Sequence, residues 1–172
     1  MATTFRNDLY NAYPSDSMSG IGKNVRRVRA KKTFTSGTSA IGDVFILGGP
    51  FTVSDRIDGL YGAIPAFTSA NSNDLGFYVK NLADGTFAPY STAAATALWS
   101  AVDLTSAKTF NEQLTVLNTS LDLTKNIGDL CSLNADQQPV GGLYVGLRFN
   151  VANTASSAIL NLSLEVEQAN TK

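Results

Sequence analysis

The sequence contains no histidine and a single cysteine, Cys131. The absence of histidine removes the commonest general base and the commonest transition-metal ligand, and one cysteine forms neither an internal disulfide nor a thiolate cluster. An enzyme built from this chain would depend on carboxylates, lysine, tyrosine or serine. We therefore expect a protein that is not an enzyme and binds no cofactor, with Cys131 as a small buried apolar residue.

The carboxylates are scattered singly along the chain. Most aspartates lie within two residues of glycine, asparagine, serine or threonine, where aspartate serves turns and caps. Asp55 and Asp58 come closest to a cluster and could offer oxygens to Ca²⁺. A hard cation requires six to eight oxygens, and this stretch lacks the acidic density of a calcium loop. The favoured interpretation is a turn that opens a strand.

Charged residues and long apolar runs are both scarce. Charged residues make up 16% of the 172 residues, whereas roughly 25% is usual, and the hydrophobic fraction of 44% is typical of a folded domain. No apolar run approaches the ~20 residues that cross a bilayer, and the first thirty residues lack the apolar core of a signal peptide. The sequence predicts no membrane partner and synthesis in the cytoplasm without secretion by a signal peptide.

Positive charge is concentrated at the N-terminal end. Residues 1–32 hold seven of the thirteen lysines and arginines against two acids, whereas the remaining residues carry six basic and twelve acidic side chains. A basic end is thus joined to an acidic body, and such asymmetry indicates a binding partner. The candidate contact residues are the six basic residues of the segment 22–34: Lys23, Arg26, Arg27, Arg29, Lys31 and Lys32.

Three interpretations of this basic segment remain open. It could neutralise nucleic-acid phosphates, but the segment lacks interleaved aromatic residues and the acidic body would repel DNA, so nucleic acid is disfavoured. It could contact an acidic protein surface, because arginine pairs bidentately with carboxylates. It could also be a solvated strand edge, since lysine and arginine protect edges against aggregation.

The chain divides into an arm and one domain. Residues 1–24 contain Pro14, Gly20 and Gly22 with no apolar period, which indicates an N-terminal arm that orders on contact. From residue 25 to 172, short strand-like runs alternate with turn residues, as in an all-β antiparallel sandwich. Apolar residues at every second position predict antiparallel strands over 143–151 and 160–166, joined by a polar loop. Residues 56–64 and 75–79 are interpreted as a hairpin.

Two stretches depart from the strand pattern. The alanine-rich residues 93–101 suit a short helix and a strand equally well. Leu123, Ile127 and Leu130 are spaced as on one helix face, with Ser120 or Asp122 as the N-cap. We predict one short helix there, packed on the end of the sandwich.

The order of these motifs resembles that of small virion structural proteins of tailed bacteriophages, which coat or cement the capsid. An apolar strand is followed by a strand of the type Asp-x-Gly-aromatic-Tyr, a helix near the middle of the second half and a final Thr/Ala-rich hairpin. The resemblance covers residues 25–168 and is carried by residues 42–47, 53–60, 73–78, 99–104, 122–130 and 152–157.

This resemblance implies a non-enzymatic role on the capsid surface of a virion, with the jelly roll as one form of the sandwich. It also implies the major capsid protein as partner, self-association as a homotrimer and synthesis in the host cytoplasm. The basic segment would then be the attachment strap. The alternative is a receptor- or glycan-binding head or tail fibre module, whose candidate aromatic residues are Tyr61, Phe67, Phe87, Tyr90 and Trp99.

Overall fold

The structure is a computed structural model that describes residues 4–5, 16–20, 23–34, 40–67, 73–112, 124–151 and 158–168. Within these ranges, two short helices accompany the strands: α1 (Thr92–Ala95) and α2 (Ile127–Cys131). The strands are β1 (Thr4–Phe5), β2 (Asp16–Gly20), β3 (Lys23–Phe34), β4 (Val44–Phe51), β5 (Arg56–Ile64), β6 (Asn73–Lys80), β7 (Phe87–Pro89), β8 (Trp99–Val102), β9 (Lys108–Glu112), β10 (Leu143–Arg148) and β11 (Ala158–Gln168).

The strands form two sheets with nested pairing. Sheet A has the order β1-β4-β10-β6-β7, with β8 also paired to β6, and sheet B has the order β2-β3-β11-β5-β9. The pairing is nested in sequence: β3 pairs with β11, β4 with β10 and β5 with β9, and β6 to β8 lie between them along the chain. The second half of the chain therefore returns antiparallel along the first. This nesting is a jelly roll. The predicted all-β antiparallel sandwich is confirmed.

Two predicted hairpins are wrong, although their strands exist. β5 and β6 lie in opposite sheets, and so do β10 and β11. β11 pairs with β3 and β5, and β10 pairs with β4 and β6. The local alternation predicts that one face of a strand is buried but does not identify the strand beside it. In a jelly roll, most connections cross from one sheet to the other.

The main core lies between the sheets. Alternate residues of β11 face inward and are buried: Leu160, Leu162, Leu164 and Val166. Four phenylalanines from both sheets and their loops meet edge to face with ring centroids 5.5–6.0 Å apart: Phe34, Phe45, Phe67 and Phe149. Each edge-to-face pair adds about 0.5–1.5 kcal/mol to the stability beyond the contribution of its buried area. The quartet therefore stabilises the packing of the two sheets at one end of the sandwich.

Sheet A is also apolar on its outer face. Val44, Ile46, Tyr78 and Tyr144 are buried there in a second cluster, against which Phe87 packs. The Tyr78 ring lies over Gly146, where a Cβ would come within 2.9 Å of the ring. Strand β10 is therefore buried on both faces, whereas the sequence pattern predicts one. The Tyr78 hydroxyl is buried without a hydrogen-bond partner among the described residues, and burial raises its pKa above the ordinary value.

The alanine-rich stretch forms both predicted alternatives in succession. Helix α1 is capped by Ser91, whose Oγ accepts a hydrogen bond from Ala94 N at 3.0 Å, and β8 follows directly. Helix α1 packs on β6 at Gly76, where a Cβ would lie 2.2 Å from the Ala94 carbonyl oxygen. A larger residue at position 76 would push α1 off the sheet.

Helix α2 confirms the C-terminal end of the predicted helix. Its N-cap is Asn126, which accepts a hydrogen bond from Asp129 N at 2.8 Å. The predicted caps, Ser120 and Asp122, lie outside the described residues. Gly128 N–H donates to the Val53 carbonyl at 2.7 Å, so α2 is held close to the loop between β4 and β5. Neither α1 nor α2 is long enough to cross a membrane, and no other helix among the described residues qualifies.

Two short strands of the N-terminal segment lie at the sheet edges. β2 pairs antiparallel with residues 23–27 of β3, and β1 pairs in parallel with Val44 and Phe45. The other residues of 1–22 lie outside the described part of the chain. The division into an arm of residues 1–24 and a domain of residues 25–172 stays a prediction.

Replacing Tyr78 by phenylalanine should stabilise the protein. The change removes a buried hydroxyl that has no hydrogen-bond partner among the described residues and leaves the ring in place. Because an unsatisfied buried polar group costs about 1–3 kcal/mol, we expect Tyr78→Phe to raise the free energy of unfolding by about 1 kcal/mol in urea denaturation. Tyr61→Phe is the control, since Glu165 accepts the Tyr61 hydrogen bond, and it should not stabilise. Equal effects in both variants would contradict this account.

Candidate protein-binding face

The basic segment is strand β3, and the strand divides its charges between two faces. β3 pairs with β11 without a register shift from Asn24 to Phe34, so successive side chains point to opposite sides of sheet B. Arg26 and Lys32 share the inner face with the buried Ala30 and Phe34. The outward set consists of Arg27, Arg29 and Lys31. The side chain of Lys23 lies outside the described residues, and its backbone pairs with Gly20.

Arg26 is therefore not a simple surface cation. Its backbone lies opposite the buried Val166, and its side chain is half-buried at the end of the sandwich. The Arg26 Nε is buried without a hydrogen-bond partner among the described residues. A negative charge at this position would face the core, so a reversal at Arg26 tests stability as much as binding.

Arg27 is held in place by β11 and β5. Its Nε donates to Glu165 Oε1 at 2.9 Å, and a second guanidinium nitrogen bonds the same oxygen. The guanidinium carbon lies 5.7 Å from the centre of the Tyr61 ring, which itself covers Gly59. The hydrogen bond to Glu165 raises the pKa of Arg27. Desolvation, followed by the charge and hydrogen bond of Glu165, raises the pKa of Tyr61.

A second ion pair between neighbouring strands lies near the Arg27–Glu165 pair on sheet B. Arg56 bonds Glu167 on β11, and its Nε lies 3.5 Å from Asp58 Oδ1. Glu165 and Glu167 thus neutralise Arg27 and Arg56 across the strands. Each such partly exposed pair contributes about 0–1 kcal/mol, so their main effect is on the charge pattern.

The other half of the outer face carries two further basic residues. Arg29 and Lys31 are exposed there, opposite Ser163 and Asn161 of β11. We call the surface formed by Arg29, Lys31, Thr33, Ile159, Asn161 and Ala63 the β3/β11 face; all six residues are exposed. It is mostly polar and includes two basic side chains, which suit contact with an acidic protein surface. Ile159 and Asn161 were not among the predicted contact residues.

Asp55 and Asp58 have separate structural roles. Asp55 is buried, and its Oδ2 accepts a hydrogen bond from Thr52 N at 2.8 Å in the turn before β5. Asp58 lies beside Arg56. Within the described ranges, no group of three or more cysteine, aspartate or glutamate residues converges as a metal site would require. A cavity of about 240 Å³ beside α2 contains a single carboxylate, Asp129, among its lining residues.

The aromatic residues proposed for the glycan-binding alternative are dispersed. Phe67 is buried in the core, and Phe87 and Trp99 are half-buried against apolar clusters. Tyr61 is engaged by Glu165 in sheet B, whereas Tyr90 follows β7 in sheet A and is 37% exposed. These residues do not build a shared stacking surface. Cys131 is buried as predicted, and burial raises the pKa of its thiol to about 12.

Comparisons with known proteins give one structural likeness. No protein-family model and no curated protein sequence matches the chain. The fold is similar to that of a chain from the capsid of Ralstonia phage GP4, with a TM-score of 0.57 and 11% sequence identity. The match covers 98% of this chain and 100% of the other. The two chains share a fold from end to end.

The Glu165 contacts predict the titration of Tyr61. Because Glu165 helps to raise the pKa of Tyr61, Glu165→Gln should lower that pKa toward its ordinary value near 10. The titration of Tyr61 is isolated by subtraction. The ultraviolet titration curve of the Tyr61→Phe variant is subtracted from that of the wild type, and the same is done in the Glu165→Gln background. A raised pKa favours the neutral phenol in the folded state, so this contribution to stability is present below pH 10 and is lost as pH rises through the folded pKa. An unchanged Tyr61 titration in Glu165→Gln would contradict the assigned contact.

Proposed function

We propose that this chain is a non-enzymatic structural protein of a phage virion, where it binds and stabilises the outer capsid lattice. The end-to-end fold likeness to a chain of the Ralstonia phage GP4 capsid carries this proposal. The resemblance in motif order, noted from the sequence alone, supports the same role. A sandwich with an exposed polar face on sheet B also provides a surface for contact with other virion proteins.

The proposed attachment uses the basic strand β3, with acidic groups of the major capsid protein as partner. Of the six candidate residues, Arg29 and Lys31 project from the outer face of sheet B, while Arg27 is compensated by Glu165. Among the described side chains of β3, only Arg27, Arg29 and Lys31 are basic and project from the outer face, which is few for neutralising phosphates and favours a protein partner over nucleic acid. Lys23, Arg26 and Lys32 would act at the ends and inner side of the strand.

The strength of this attachment would come from several copies acting together. Individual exposed ion pairs contribute about 0–1 kcal/mol, too little for stable binding by one chain. In a homotrimer, the proposed oligomer, one bound copy would place its neighbours at high effective concentration over adjacent capsid subunits. Binding should therefore weaken steeply when the protein is made monomeric.

Immunogold electron microscopy of virions of the encoding phage tests the location. An antibody to this chain should label the head evenly over its surface. Label confined to the tail or fibre tips would contradict a capsid role and would favour the receptor-binding alternative.

Charge reversal on the β3/β11 face tests the attachment. We expect Arg29→Glu with Lys31→Glu to weaken binding to capsids that lack the protein by roughly tenfold or more, because attraction becomes repulsion at two positions. Lys125→Glu is the matched control, since Lys125 is exposed in the turn before α2, and it should bind normally. Co-sedimentation measures binding, and thermal unfolding checks that the double variant is folded. Normal binding by a folded double variant would exclude this attachment.

A further inference from the structure

The outer face of β11 contains one aliphatic side chain that the core does not explain. Outward positions along β11 read Ile159, Asn161, Ser163, Glu165 and Glu167. Ile159 is 53% exposed, although it lies in a strand whose other outward residues are polar or charged. Single exposed aliphatic residues are common on protein surfaces. The neighbours of Ile159 make this one informative.

The register places Ile159 beside the outward cations. Ile159 is opposite Thr33, and the next outward pairs along the strands are Asn161 with Lys31 and Ser163 with Arg29. A residue diagonal to another on adjacent antiparallel strands lies roughly 7–8 Å away, within reach of a long side chain. Lys31 thus borders Ile159, and Arg29 follows one step further. On the other side of β11, the exposed Ala63 lies opposite Asn161.

At the end of the β3/β11 ladder, an exposed aliphatic side chain lies beside two basic residues. Binding energy in protein interfaces concentrates in a few well-packed residues, which a polar rim shields from water. The basic residues favour partners with carboxylates, and Ile159 would be buried only in an apolar recess beside those carboxylates. A nucleic-acid backbone offers the negative charge but no apolar recess. The basic residues and the aliphatic side chain together favour an acidic protein surface.

We infer that Ile159 is the apolar anchor of the β3/β11 face, and that its binding site on the outer capsid lattice is an apolar recess edged by aspartate or glutamate. Arg29 and Lys31 direct the face to that recess and fix its orientation, while Ile159 is buried on contact. This inference rests on the proposed function, because it names the chemistry of the partner at the proposed attachment site.

The chain provides a matched control for this inference. Val140 is also β-branched and is 79% exposed, but it lies in the turn before β10, between Asp136 and the strand. No lysine or arginine occurs between Lys125 and Arg148 in the sequence, so the segment of Val140 has no basic residues of its own. Threonine at either position keeps the branched shape and replaces a methyl or ethyl group by a hydroxyl.

Binding to capsids that lack the protein, measured for wild type, Ile159→Thr and Val140→Thr at low and high salt, tests the inference. We expect Ile159→Thr to weaken binding roughly tenfold at both salt concentrations, because an apolar contact is not screened. Val140→Thr should bind like wild type. The Arg29→Glu, Lys31→Glu double variant should instead lose most where salt is low, since its contribution is electrostatic.

The possible results separate the anchor from the function on which it rests. If wild type binds capsids and Ile159→Thr binds equally well, the anchor is excluded while the proposed function stands. If wild type does not bind, both are overturned. Equal losses in Ile159→Thr and Val140→Thr also exclude a specific anchor. If light scattering of the free protein shows that only Ile159→Thr lowers the oligomer mass, the face binds a second copy, and the lattice site is overturned.

Discussion

The antiparallel pairing of β11 with β3 is the constraint on which the core and the candidate face both depend. It runs along all eleven residues of β11 without a shift and places β11 in the middle of sheet B, between β3 and β5. The even-numbered residues from Leu160 to Val166 thereby fill the core from one side. The odd-numbered residues from Asn161 to Glu167 line the outer face. A slip by one residue would turn Arg29 and Lys31 into the core, so the hydrophobic effect fixes the position of the charges.

Much of the fold could be predicted from the sequence because burial leaves a local pattern. The alternation over residues 160–166 indicates a strand with one wet face, and β11 has that face. The sheet partners could not be predicted, since they depend on residues far apart in the chain. Hence β10 and β11, adjacent in sequence, belong to different sheets. The sequence also did not predict that the outer face of sheet A is apolar, because Tyr78 and Tyr144 pack on residues of strands that are distant in sequence.

The candidate site shows the same division between local and long-range information. Sequence composition identifies six basic residues as one cluster, and the period of a strand divides them into two faces. That period was obscured in β3 because Arg26 and Lys32 occupy inward positions, where the alternation of a strand would place apolar residues. The neutralisation of Arg27 by Glu165 spans 138 residues and requires the register. No composition argument could have identified which of the six basic residues pairs with Glu165.

The two sheets differ in a way that determines where a partner can bind through polar groups. Sheet A is apolar on both faces, and its outer cluster of Val44, Ile46, Tyr78 and Tyr144 is already buried within the chain. Sheet B buries one face and keeps the other wet, so its strands can alternate core residues with charges at no cost to packing. A charged residue on sheet A would have to displace buried apolar area at about 25 cal/mol per Å². Sheet B can therefore carry a binding surface whose residues vary while the jelly roll remains unchanged. Ile159 lies on that surface, and core packing does not require an aliphatic residue at its position.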